Sequence, residues 1–401
     1  MASPHLHDLP ATSTVDEYER RRLDELSDHQ LVEAVAGVIG SRTAGPLTSF
    51  VLHAPLELVA RAALLPRVRP ERRRDARLRL VWLAARYQEV TEPASAVAPL
   101  VDDVDAARIR LVAAIDDGDL DESRQVGAAL ARSMSADELV DATADTIAPR
   151  LAAAGHGAIF LQLLPRFASG SPAAAAMFGN LARDLARSPG LELSWQIGAG
   201  HRDGTGEVDA ALRDVPALEP LESDFIAPNV GRVETSGLAD DLLRPAFGGG
   251  LDVVGTGRTI VRVAADAMIG ERSEAAPYTW THALTIPAAL AAIAHRTTDP
   301  VATSALAATY LAGFLASNAT GPIGRPEREL RPVDTERITD LATEAAAHYD
   351  AHVAKYVVAA LDAARSEPVD TPRFVAAGER LLEVWRTAPP GEDPLAAALA
   401  A

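Results

Sequence analysis

Apolar residues recur along this chain with the period of an α-helix. In PLELVARAALL, Leu56, Val59, Ala60, Ala63 and Leu64 fall at i, i+3, i+4, i+7 and i+8. That spacing makes one helical stripe, which a neighbouring element must cover. DARLRLVWLAARY repeats the pattern after a turn at RPERRRD. Three further pairs follow: GAIFLQLLPRF with AAAAMFGNLARDLAR, AALAAIAH with VATSALAATYLAGFLAS, and HYDAHVAKYVVAALDAAR with TPRFVAAGERLLEVWR. Strand–helix–strand alternation is absent, which disfavours sheet-based nucleotide-binding and barrel folds. GTGRT lacks the preceding strand that a dinucleotide-binding loop needs, and it reads as a turn. The expectation is an all-α chain, with residues 1–401 forming one domain of packed helical hairpins. Two stretches depart from it. Residues 1–15 read as a mobile tail. Residues 191–270, with GAGHRDGTGE, PALEPLESDF and PAFGGGLDVVGTG, read as a long Gly/Pro-rich insertion, a lid or binding segment.

Composition narrows the partners. The net charge of −18 comes with no basic block standing apart from acidic neighbours, so neither nucleic acid nor an anionic membrane surface is an expected partner. The absence of cysteine removes disulfides, thiolate metal sites and a cysteine nucleophile together. The first residues lack the basic-then-apolar pattern of a signal peptide. No uninterrupted apolar stretch reads as long enough to span a bilayer. A cytoplasmic location is the expectation.

The polar residues beside the apolar runs carry the chemistry. His53, His156, His282 and His352 each stand at or just before an apolar helical run. Pro55 fits a first-turn slot and Pro287 follows closely after Thr285, which would put His53 and His282 at helix entrances. A single histidine in such a place is more often a cap or a satisfied core residue. Four in similar places suggest one shared metal site among packed helices. His348, one turn before His352, is the rival to it at i, i+4 spacing. Lys355 is the only lysine in 401 residues and shares a helical face with His352 at i+3. It either reaches to the surface as an accident of an arginine-preferring composition, or it is buried, loses its proton and takes up carbon dioxide as a carbamate. The second course would turn a cation into an anionic oxygen ligand.

These same segments carry a resemblance. FVLHAPLELVARAALL, AAAGHGAIFLQLL, WTHALTIPAAL and above all DAHVAKYVVAAL resemble the spaced motifs of the questin oxidase family, from roughly residue 48 to 361. Asp350, His352 and Lys355 form the most specific element, and His282 to Thr285 the next. Family members often carry a second histidine in the second motif, where this chain has Leu163. The resemblance implies an all-helical oxygenase that opens a ring of anthraquinone-type polyketides with dioxygen. It also implies mononuclear non-heme iron held by His53, His156, His282, His352 and a modified Lys355.

Such a site makes chemical sense. Dioxygen reacts sluggishly with closed-shell aromatics, so a redox metal, a flavin or a substrate radical is needed, and no flavin or nicotinamide motif is present. Imidazole and carboxylate-like ligands suit Fe(II). Tyr278 and Trp280 are candidates for stacking on a flat aromatic substrate, with core packing as the alternative. Phe160 is a further candidate on the substrate side. Asp350 is expected to orient a ligand, and with Lys355 forms the candidate catalytic pair. Two other classes remain: a metal-dependent hydrolase with a carbamylated lysine, and a helical scaffold without chemistry.

Overall fold

The His53 helix, Ser49–Leu64, shows how these elements form. Thr48 caps it, its hydroxyl accepting from the Val51 N–H at 3.3 Å, and the apolar stripe then runs unbroken into the core. The computed structural model describes residues 6, 9–92, 99–167, 171–196, 206–219, 221, 225–248, 250–270, 278–318, 323–324, 330–387, 389 and 391–396. The chain is all-α. Among the described residues the only extended pairings are isolated bridges at Thr43–Thr91 and Arg150–Glu192.

Four helices surround the centre: the His53 helix, the short His156 helix (Gly157–Leu163), the His282 helix (Tyr278–Ile293) and the His352 helix (Ala351–Ser366). The His352 helix packs on the His53 and His282 helices, and the His156 helix fills the remaining side. An outer layer covers them. Pro300–Asn318 lies on the His282 helix and Thr371–Thr387 on the His352 helix, both as true hairpins. The expected pairing of the His156 helix with Pro172–Ala186 is not a hairpin. Pro172–Ala186 packs chiefly on Leu120–Ser133, because Gly127 and Gly179 let those two backbones approach. A Cβ on Gly179 would lie 2.6 Å from the Arg124 carbonyl oxygen.

Several expectations are corrected. Pro55 and Pro287 sit inside their helices rather than at the start, so His53 and His282 are interior positions. Each proline gives up one ladder bond, and burial among neighbouring helices stabilises the run through it. The segment 191–270 is not one long loop. It holds helices Val208–Arg213, Ile226–Thr235 and the 18-residue Val253–Gly270, and GTGRT lies inside the last of these. Gly257 is there for contact, since its missing Cβ would stand 3.0 Å from that of Ala291 on the His282 helix. The described residues of 1–15 are not a free tail either. Leu6 and Leu9 are buried, and Thr14–Arg20 forms a helix with Tyr18 in the core. Finally, among the described residues two stretches, Ser49–Arg67 and Pro300–Asn318, are long and apolar enough to span a bilayer, but 67% and 78% of them is buried inside this fold.

Candidate metal centre

The His53 helix turns His53, Glu57 and Arg61 to one side, at i, i+4 and i+8, and all three are buried. Asp350 caps the His352 helix through its own carboxylate, which accepts from the His352 backbone N–H at 2.8 Å and faces His352 Nδ1 at 2.7 Å. Lys355 follows one turn later and is buried. His282 sits mid-helix, with its ring 6.4 Å from that of Phe314.

His156 is delivered differently. Ala153, Ala154 and Gly155 take φ values of 51°, 51° and 69°, three consecutive left-handed residues of which two carry a Cβ. Each non-glycine residue held this way costs about 1–2 kcal/mol. The turn brings the Ala153 and Ala154 carbonyls to 3.2 and 3.0 Å from His156 Nδ1. Gly155 cannot be replaced, because Tyr310 occupies the place of its Cβ.

The four imidazoles meet. His53 Nε2 lies 2.9 Å from His156 Nε2, and His282 Nε2 lies 3.1 Å from the same atom. The ring centroids of His53 and His352 are 4.4 Å apart, and those of His282 and His352 4.9 Å. His53, His282 and His352 each offer a ligand atom within 4.8 Å of the others, a group that could hold a metal ion.

The proton inventory is informative. His53 Nδ1 faces the Ser49 carbonyl at 2.7 Å, and His156 Nδ1 faces two carbonyls. A carbonyl only accepts, so both Nδ1 atoms carry the proton, and both Nε2 atoms present lone pairs. Two lone pairs therefore confront each other across 2.9 Å in a buried interior. Protonation does not relieve this readily. Burial first, then the nearby Lys355 charge, holds His53 and His156 well below the usual imidazole range. The same causes bring His352 down to about 4 against the pull of Asp350. Burial lowers Lys355 to about 7, opposed by Asp350 and Glu57. Its Nζ has no hydrogen-bond partner among the described residues.

Other sequence candidates separate here. His348 stands outside the cluster: its Nδ1 accepts from the Asp350 N–H at 3.1 Å, and its ring stacks on Tyr349. Phe160 lies one turn after His156, buried, with its ring 6.3 Å from Phe178. It borders a small cavity together with His156. Trp280 is buried. Tyr278 opens the His282 helix, but its side chain lies outside the described residues, as do His5, His7 and His201.

Sequence reasoning missed Glu57 and Arg61. They form a buried pair, with Arg61 Nε 2.7 Å from Glu57 Oε1, and Arg61 also donates to the Ala346 carbonyl at 2.7 Å. The signal was available: two opposite charges four residues apart on the stripe that carries His53. Trp385, whose ring stands 6.2 Å from that of His352, gave no such sign.

Comparison of the chain with protein-family models, curated proteins and solved structures yields no match.

Proposed function

We propose that His53, His156, His282 and His352 hold one iron(II) ion, and that the centre oxidises a polycyclic aromatic polyketide with dioxygen. The observation that carries the metal is the pair of imidazole lone pairs facing each other at 2.9 Å, which a shared cation stabilises. The Nε2 separations of 2.9 and 3.1 Å also suit adjacent ligands of one ion, since nitrogens about 2.1 Å from a metal at right angles stand about 3.0 Å apart. Neutral nitrogen donors fit iron(II), which bound here would supply the redox chemistry that dioxygen needs.

The protein's own residues prepare the site. Asp350 holds His352 in the tautomer that leaves Nε2 for the ion, and the Ser49, Ala153 and Ala154 carbonyls do the same for His53 and His156. Lys355 is the anionic partner in this proposal. Its neutral Nζ attacks the carbon of carbon dioxide: an N–C bond forms as one C–O π pair moves onto oxygen, one proton passes from nitrogen to water, and a carbamate remains. The buried amine without a hydrogen-bond partner and the lowering to about 7 support that step. The resemblance to questin oxidases, carried by Asp350, His352 and Lys355, supports the substrate class. The hydrolase alternative rests on a carbamylated lysine beside histidines, but such hydrolases need alternating strands and helices, and no strand occurs among the described residues.

Elemental analysis of anaerobically purified protein is the test, followed by dioxygen uptake with a hydroxylated anthraquinone. Near-stoichiometric iron and substrate-dependent uptake are expected. A pair of zinc ions would point to hydrolysis, and a metal-free protein that takes up none would sink the proposal.

A further inference from the structure

Pro55 opens the wall of the His53 helix. It offers no N–H to the Val51 carbonyl, and its ring crowds that oxygen, so the helix loses a rung there. Val51 and Pro55 both border a narrow cavity of about 20 Å³, enough for one water-sized molecule. His156 and Phe160 border the same space, and so do Tyr87, Asn180 and Asp184.

Several of its polar groups are engaged by the protein. Asn180 Nδ2 donates to the Ser41 carbonyl at 3.0 Å, and its Oδ1 accepts from Arg124 Nε at 2.9 Å. Asp184 Oδ1 accepts from Arg187 Nε at 3.1 Å. Thr43 also borders the space, and the rest of the wall is hydrocarbon and thioether, from Leu52, Leu56, Met177 and Leu181. A buried water needs two to four polar partners, whereas apolar cavities stay dry and take up gases. A small apolar molecule suits this space better than water does.

We infer that this cavity is a holding site for dioxygen beside His156. The identity of the gas rests on the proposed oxygenase reading, but the affinity for a small apolar molecule does not. A gas held there lies on the Pro55 side of His156.

Crystals of metal-free protein pressurised with krypton test the site without any turnover. One krypton atom is expected in contact with Leu56, Phe160 and Leu181. Ordered water bonded to Asp184 or Asn180 in its place, or an empty cavity, overturns the inference. Leu181→Phe should fill the space and abolish krypton uptake, and Leu181→Met serves if the larger ring prevents folding. In iron-loaded protein the filling variant should raise KM for dioxygen roughly tenfold, equivalent to about 1.4 kcal/mol, with KM for the aromatic unchanged. An unchanged KM for dioxygen also overturns it. Krypton bound in a protein that never consumes dioxygen would instead count against the oxygenase reading alone.

Discussion

Lys355 and Ala154 show how much a single residue decides here. Lys355 is a buried amine without a hydrogen-bond partner among the described residues, and such a group destabilises by about 1–3 kcal/mol. Lys355→Met, similar in length and uncharged, should leave the metal-free protein as stable or more stable by about 1 kcal/mol in urea. It should nevertheless lose most bound iron by elemental analysis. Lys355→Arg keeps the charge, removes the carbamate-forming amine and should lose iron too; full iron content in both variants would refute the ligand role. Ala154 offers the opposite case, a residue strained in place. Ala154→Gly removes the Cβ conflict of a left-handed residue while adding unfolded-state freedom. It should be neutral or stabilising by up to about 1 kcal/mol, whereas Ala154→Val should destabilise by more than that and weaken metal binding through His156. Thermal unfolding and metal titration of the pair check this.

At the scale of elements, the turn that presents His352 is held from outside its own helix. Arg61, from the His53 helix, donates to the Ala346 carbonyl. Arg79, from Arg73–Gln88, donates to the Ala347 carbonyl at 2.8 Å and pairs with Asp393. These two guanidinium groups satisfy the last carbonyls of Thr335–Ala347, at the point where the chain turns toward Asp350 and His352. Arg61→Met leaves Glu57 buried and unpaired, and should cost about 3–5 kcal/mol. Glu57→Leu with Arg61→Met should recover most of that stability in denaturant melts. If the double variant is also as iron-poor as the single, the pair positions the site as well as stabilising the fold. The arginines were visible in sequence as helix residues, but not their targets. Arg61 and Ala346 are 285 positions apart, beyond any local pattern.

Over the whole molecule, the buried basic groups couple stability to pH. His352 falls to about 4 in the fold, against 6.5 ordinarily, with His53 and His156 lowered as well. Between those values these histidines bind more protons in the unfolded chain than in the folded one, so their share of stability is lost as pH falls from about 6.5 to about 4. Lys355 acts the same way higher up. With a folded value of about 7 against 10.5, its share of stability grows as pH rises from about 7 toward 10.5. Buried carboxyls such as Asp184, raised to about 6, act in the opposite sense below neutral pH, so the clear window is pH 7 to 10. Denaturant midpoints of metal-free protein should climb there, and a flat or inverted profile would contradict the burial of Lys355. Bound iron should raise the midpoint at neutral pH and lose that advantage in acid, as protons compete for the same nitrogens.

What the sequence determined by itself is the helical class and the short set of residues that meet at the centre. Period 3.6 reports a local property, and a histidine beside an apolar stripe is conspicuous because burying it is costly. Tertiary structure alone decided three other things. It showed that 253–270 is a helix despite its glycines, since Gly257 is there to admit Ala291. It separated His352 from His348, because a C-cap turn aims one ring inward and the other onto Tyr349. It also set the proton on Nδ1 of His53 and His156, leaving Nε2 of each toward the centre. Those outcomes depend on carbonyls, rings and backbones brought together by packing, and helical periodicity carries no record of them.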